Sequence, residues 1–155
     1  MFDTVATGGT FDILHKGHHI LLLKAFEVGN HVIIGLSSDN YANQKKKKIT
    51  NDYPIRLRNL RKFIKEKFNK SNYSIYELNN FYGPTVLNRE VQAIVTTESS
   101  RENCTKINAL RESKKITKLE IVIVPLVEDH EGRVISSTRI RQGEIDTNGN
   151  KLSLY

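Results

Sequence analysis

The sequence predicts an α/β protein built on a parallel sheet with helices on both faces, and three observations carry that prediction. His31–Ser37 (HVIIGLS) and Leu119–Leu126 (LEIVIVPL) are almost wholly apolar over strand length, which is how a strand covered on both faces reads. Segments with apolar residues at helical spacing alternate with such runs, the pattern of parallel strands joined by helical crossovers. A glycine-rich turn, Gly8-Gly9, joins the first strand to the first helix. Adjacent glycines there permit a sharp turn and let backbone N–H groups approach an anion closely.

The 155 residues, 38% of them hydrophobic, suit one compact domain, taken as 1–146, with 147–155 as a C-terminal tail. A single cysteine, Cys104, excludes an internal disulfide framework. With no signal-peptide h-region and no apolar run of the roughly 18 residues a membrane helix needs, a cytoplasmic protein is expected. The formal charge is +7, which fits an anionic partner or a merely lysine-rich composition. Nucleic acid is the obvious alternative. Against it, the cations are scattered over helices except for Lys45-Lys46-Lys47-Lys48, and they do not interleave with aromatic residues.

Residues 2–7 read as the first strand, and the first helix starts near Gly17 and stops at Gly29-Asn30. Ile20, Leu21, Leu22, Leu23, Ala25, Phe26 and Val28 make that helix apolar on most sides, as expected of one packed deeply against a sheet. After the strand His31–Ser37, residues 38–48 read as a polar loop carrying the lysine run. Asp52 caps the next helix, with Pro54 in its first turn and Leu57, Leu60, Ile64 and Phe68 as its apolar stripe. Arg56 stands out among its cations as nearest the ligand edge.

Asn72–Leu78 alternates like a half-exposed edge strand, and Tyr82-Gly83-Pro84-Thr85 breaks it. Gln92–Thr97 is the fourth strand. Ser99 with Glu102 forms a capping box for a helix whose buried stripe is Cys104, Ile107 and Leu110. Cys104 on that stripe reads as a small core residue rather than a nucleophile. The fifth strand ends at Pro125, and Glu128, Asp129, His130, Glu131 and Gly132 beyond it read as an exposed charged turn rather than a metal site.

Two motifs stand out. In Gly8–His18 (GGTFDILHKGH), Thr10 adds a hydroxyl to the turn, and His15 and His18, three apart, share one helical face that Gly17 leaves open. Metal binding by that pair would need further ligands, which nearby sequence lacks, so no metal ligand is assigned. In Ile135–Arg141 (ISSTRIR), Ser136, Ser137 and Thr138 open a helix and Arg139 follows within a turn. Hydroxyls at a helix start ordinarily mean capping; three in succession with two arginines suggest a triphosphate cradle.

GGTFDILHKGHH resembles the HxGH signature of the nucleotidyltransferase superfamily, and ISSTRIR resembles the signature that partners it. That resemblance implies a Rossmann-like doubly wound parallel five-stranded sheet, order 3-2-1-4-5, with both motifs at its carboxyl edge. It does not by itself choose among pantetheine phosphate, nicotinamide mononucleotide, FMN and cytidylyl-transfer substrates. The stretches IGLSSD, FYGPT, INALR, IVIVPLV and ISSTRIRQGEID are most similar to the archaeal and eukaryotic type of pantetheine-phosphate adenylyltransferase. The bacterial branch carries an arginine-bearing segment where this chain has Thr96-Thr97-Glu98, so bacterial assignments for that loop are not carried over.

The resemblance implies AMP transfer from ATP to 4′-phosphopantetheine, giving dephospho-CoA and pyrophosphate, with Mg2+ arriving on ATP and no nucleic-acid or membrane partner. It also implies roles. His15, His18, Lys45, Lys48 and Arg139 are the catalytic candidates, the lysines standing for whichever of residues 45–48 reaches the phosphates. Gly8, Gly9, Thr10, Phe11, His18, Thr97, Glu98, Ile135, Ser136, Ser137, Thr138 and Arg139 are assigned to ATP, and Thr10, Asp12, Lys45 and Tyr82 to the acceptor.

Overall fold

The computed structural model describes residues 1–45, 48–86 and 88–152. Lys46, Lys47 and residues 153–155 of the expected tail lie outside the described residues. The elements run β1 (Phe2–Gly9), α1 (Lys16–Val28), β2 (Gly29–Ser37), α2 (Asp39–Gln44), α3 (Tyr53–Lys67) and β3 (Tyr73–Leu78). They continue through β4 (Ala93–Thr97), α4 (Arg101–Ser113), β5 (Glu120–Val124) and α5 (Ser137–Arg141), with 3-10 turns at Gly83–Val86 and Glu98–Ser100.

The five strands lie in the order β3-β2-β1-β4-β5, every neighbouring pair parallel, which is the Rossmann-like sheet expected. Successive residues of β1 point to opposite faces. Val5 joins Leu22, Phe26, Val32, Ile34, Leu60 and Ile64 in the larger core, under α1 and α3. Ala6 joins Val91, Ile94, Cys104, Ile107 and Leu119 in the smaller one, under α4. The order of connection reverses between β1 and β4. Crossovers leave on opposite faces there and open a crevice at the carboxyl ends of the strands.

Asp52 caps α3 by accepting from the Ile55 N–H at 3.3 Å, with Pro54 in the first turn as the sequence predicts. The stop of α1 also falls where expected, but β2 begins at Gly29 with no loop between. Gly29 is extended, at φ −119°, so close approach explains the glycine: a Cβ there would lie 2.5 Å from Val5 Cγ2.

Three expectations are corrected. Residues 38–48 are not all loop, because Ser38 Oγ accepts from the Tyr41 N–H at 3.0 Å and starts the short helix α2, with Ala42 buried. The Ser99–Glu102 capping box does not form: Ser99 sits in the preceding 3-10 turn, its Oγ 2.9 Å from Thr97 Oγ1. On α4 the buried stripe is Cys104, Ile107 and Arg111, while Leu110 is exposed. Positions i, i+3 and i+7 share a helical face, and i+6 does not.

Beyond α5 the chain returns to the body. The Thr147 carbonyl accepts from the Lys16 N–H at 2.9 Å, at the start of α1. Ile145 and Lys151 form an antiparallel bridge, and Leu152 N–H donates to Glu144 O at 3.0 Å.

Candidate active site

A cleft of about 550 Å3 opens at the carboxyl edge of the sheet. The turn Gly8–Asp12, His15, His18, Lys45 and Lys48 line it on one side; Thr97, Ile135, Ser136, Ser137, Thr138 and Arg141 line it on the other.

The two histidines cap α1 reciprocally. His15 Nδ1 accepts from the Gly17 N–H at 3.0 Å, and His18 Nδ1 accepts from the His15 N–H at 3.3 Å. A neutral imidazole has one donor and one acceptor nitrogen, so in that form both rings carry their proton on Nε2. The rings stack with centroids 3.9 Å apart, and Phe11 lies 5.0 Å from His18. Gly17 has a steric duty here, because a Cβ on it would lie 2.7 Å from His15 Cε1. Phe11 is buried at φ +49°, a backbone that costs a non-glycine residue on the order of 1–3 kcal/mol and must be held by its surroundings.

Across this turn, Lys45 Nζ donates to Ser37 Oγ at 3.1 Å and Thr10 Oγ1 at 3.4 Å, and sits 4.2 Å from the centre of the Tyr41 ring. Lys48 is exposed on the cleft wall. Arg56 does not face the cleft as expected. It is fully buried behind the turn and donates to the carbonyls of Thr10 (2.9 Å), Ser37 (2.8 Å) and Asn51 (3.0 Å) and to Asp39 Oδ1 (2.7 Å). It thereby fixes the ends of β1 and β2, from which Thr10 and Ser37 reach the ligand side.

At the second motif Ser136 caps α5, accepting from the Arg139 N–H at 3.2 Å. Ser137 Oγ donates to the Ile13 carbonyl at 3.0 Å, sewing the two motifs together. The two arginines of α5 part company. Arg139, assigned to ATP and catalysis from sequence, points away from the cleft to Asp129 (2.6 Å), Glu144 (2.9 Å) and the Val134 carbonyl (2.8 Å). Arg141 lines the cleft and reaches Asp12 and Thr50. Residues two apart on a helix face opposite ways, and that spacing was the available signal for Arg141, which sequence reasoning passed over.

Three further assignments move. Glu98 lies outside the cleft lining, paired with Arg101 at 2.7 Å, although Thr97 beside it does line the cleft. Tyr82 is exposed and outside the cleft; Phe81 and Thr85 line it, with Tyr76 and Leu78 beside them. Asp12 lines the cleft, but its carboxylate is engaged by protein groups. Tyr76 lies in the edge strand β3 as expected and is also a cleft residue, a role the sequence does not show; burial pushes its hydroxyl up to about 12, leaving it a hydrogen-bond donor.

The charged turn after β5 is ordered around Asp129, whose carboxyl is held down at about 2 by the Arg133 backbone N–H first, then the Arg139 guanidinium. A depressed carboxyl stabilises the fold above its unfolded value of 3.8 and loses that contribution as pH falls through about 2. Melting curves of wild type and Asp129→Asn should differ at pH 6 and converge as pH is lowered from 4 toward 2. A constant difference down to pH 2 would contradict the assignment.

A histidine-capped helix facing a hydroxyl-rich helix start across the switch point of a parallel sheet defines the nucleotidyltransferase class of α/β proteins. The chain belongs to the cytidylyltransferase-like family, which it matches over residues 6–143. It is similar to the phosphopantetheine adenylyltransferase of Methanothermobacter thermautotrophicus, 39% identical over 148 residues, 96% of this chain and 88% of that protein. Its similarity to that of Pyrococcus abyssi is 42% over 153 residues, 97% and 96% of the two chains. A solved structure of a protein of unknown function from Archaeoglobus fulgidus aligns with a TM-score of 0.71 at 30% identity, over 78% of this chain and 88% of that one. No helix among the described residues is long and apolar enough to cross a membrane.

Proposed function

We propose that the chain is a phosphopantetheine adenylyltransferase of coenzyme A biosynthesis, transferring AMP from ATP to 4′-phosphopantetheine and releasing pyrophosphate and dephospho-CoA. The observation that carries this reading is the convergence of His18, Thr10 and Lys45 on one turn of a chain similar over nearly its whole length to such enzymes. A phosphate oxygen of the acceptor attacks the α-phosphorus of ATP; the bond to the bridging oxygen breaks, and pyrophosphate leaves with its electron pair. Phosphate is already a nucleophile, so positioning and charge stabilisation suffice.

In this reading Thr10 and Lys45 receive the acceptor phosphate, with Lys48 adding charge at the rim. His15 and His18 present Nε2–H groups to the reacting phosphate. Ser136, Ser137 and Thr138 at the start of α5, with Arg141, receive the departing pyrophosphate, where cations and backbone donors offset the accumulating charge. Thr97 and Ile135 bound the nucleotide end, and Tyr76, Leu78 and Phe81 offer the organic arm of the acceptor a largely apolar wall.

Magnesium enters as part of the substrate. Among the described residues no three His, Cys, Asp or Glu side chains gather into a metal cage, and the Asp12 carboxylate already accepts three donors. In this reading the ion arrives on phosphate oxygens with its own waters, as magnesium on ATP ordinarily does. Nucleic acid and membranes have no part in this reading.

The test is pyrophosphate release with a panel of acceptors: 4′-phosphopantetheine, FMN and nicotinamide mononucleotide. Turnover should require phosphopantetheine. Turnover with FMN alone would reassign the acceptor, and oligonucleotide binding that resists physiological salt without any transfer would replace the enzyme by a binding module.

A further inference from the structure

Asp12 is expected from sequence to touch the acceptor, yet its side chain is 3% exposed and occupied by the protein. Oδ2 accepts from the Thr50 N–H at 2.7 Å and from Arg141 Nη2 at 2.5 Å; Oδ1 accepts from the Asn51 N–H at 2.9 Å. The Asp12 carbonyl takes a fourth bond, from Asn51 Nδ2 at 3.2 Å, and Arg141 Nε closes the ring by donating to Thr50 Oγ1 at 2.7 Å. Burial alone would push this carboxyl up; the Thr50 and Asn51 N–H groups and Arg141 outweigh it and hold it below its ordinary value.

Three segments remote in sequence meet at this carboxylate: the turn after β1, the chain just past Lys48, and the last turn of α5. Thr50 and Asn51 end the segment that carries the lysine run, and Arg56 holds its other end through Asp39 and the Ser37 carbonyl. Arg141 ends the helix that carries Ser136–Thr138. Whatever fixes Thr50 and Arg141 to one point therefore ties the Lys48 end of one wall to the Arg141 end of the other.

We propose that Asp12 is a positioning residue, the hub of an Asp12–Thr50–Arg141 clasp that sets Lys48, two residues before Thr50, and the Arg141 guanidinium at the mouth of the cleft. Asp12 touches no substrate atom; it acts through Arg141 and through Lys48 beside Thr50. Its kinetic consequence rests on the adenylyl-transfer reading, while its structural consequence does not.

The experiment pairs steady-state kinetics with amide hydrogen exchange on full-length wild type and Asp12→Asn. The variant keeps the shape but loses the charge and turns an NH2 toward N–H donors. In the absence of substrate, the Thr50 and Asn51 amides should exchange roughly tenfold faster while β1 amides keep their rates. With the preferred acceptor kcat should fall roughly 10- to 100-fold, the scale of misplaced catalytic groups, with KM for ATP and acceptor nearly unchanged. Thr50→Val removes one exposed member of the clasp and serves if Asp12→Asn does not fold. It should lower kcat roughly fivefold, the rate equivalent of one hydrogen bond. Where both fold, the double variant should lose less than the product of the two. Unaltered exchange at Thr50 and Asn51 would overturn the clasp. A rise in acceptor KM at unchanged kcat would also overturn the proposal, by making Asp12 a substrate contact. Wild type inactive on every acceptor would instead defeat the functional reading, leaving the exchange result to judge the clasp.

Discussion

His18→Ala should lower kcat by on the order of 10²–10³, with a much smaller change in the KM for ATP. The ring is held on three sides, by its stack on His15, by Phe11 and by the hydrogen bond from the His15 N–H to Nδ1. A donor so fixed needs no reorganisation when charge develops on the α-phosphate, and an aqueous substitute would. Loss of the cap costs about 1 kcal/mol of stability, too little to unfold a domain, so melting and rate can be measured on one sample. His18→Asn retains an N–H donor and should recover part of the rate. Collapse of ATP affinity with kcat preserved would make His18 a ground-state contact. A covalent adenylyl-histidine recovered after quenching would refute direct transfer.

Arg111→Met should destabilise the fold by about 3–5 kcal/mol, the scale on which removing one partner of a buried charged network acts. Arg111 is 1% exposed and, among the described residues, pairs with no carboxylate. It donates instead to the carbonyls of Thr85 (2.6 Å), Asn88 (2.9 Å), Val91 (3.0 Å) and Thr117 (2.8 Å). Burial pushes its pKa down, so the four carbonyl dipoles are what stabilise the charge in place. Methionine fills a similar volume but removes the guanidinium donor from the Thr85, Val91 and Thr117 carbonyls, each loss costing about 1–3 kcal/mol, while the Asn88 carbonyl keeps the Val91 N–H at 3.4 Å. A melting midpoint lowered by roughly 10 °C is the expected reading for a chain of this size. The loss should fall on stability rather than on kcat at a temperature where both proteins are folded, because Arg111 lies outside the cleft lining. A change below about 1 kcal/mol would mean that water replaces the guanidinium at no cost.

Arg111 also shows where sequence stops informing. The strands were legible because burial on both faces writes a continuous apolar run, and Asp52–Pro54 wrote its own helix start. Gly8–His18 and the Ser136–Thr138 run were legible as sites because they crowd unusual residue types into few positions. A buried arginine has no such signature: helical spacing puts position 111 on the face of Cys104 and Ile107, but a guanidinium is tolerated there only because the carbonyls of residues 85, 88, 91 and 117 receive it. Arg56 misled in the same way, its position near the ligand edge being right and its direction wrong. Arg139 and Arg141 differ from both, since the turn of α5 already separated them and only the register of that short helix had to be known. Tyr82 and Phe81 illustrate the remaining gap: the break after β3 was evident, but which of these neighbouring rings turns into the cleft was set by packing.

Cys104, the single cysteine, lies against Ile107 and Leu119 in the smaller core and is 1% exposed, with burial pushing its thiol up to about 11. The proposed acceptor ends in a free thiol. A cell that oxidises that thiol produces disulfides able to trap any protein thiolate they meet, by attack of the thiolate on a sulfur of the disulfide. At neutral pH a group titrating near 11 is almost wholly protonated, and the surrounding side chains bar a bulky disulfide from reaching it. Handling a sulfhydryl compound therefore exposes this chain to no mixed-disulfide inactivation at its one sulfur nucleophile, and its turnover should be indifferent to the thiol–disulfide balance around it except through the supply of reduced acceptor.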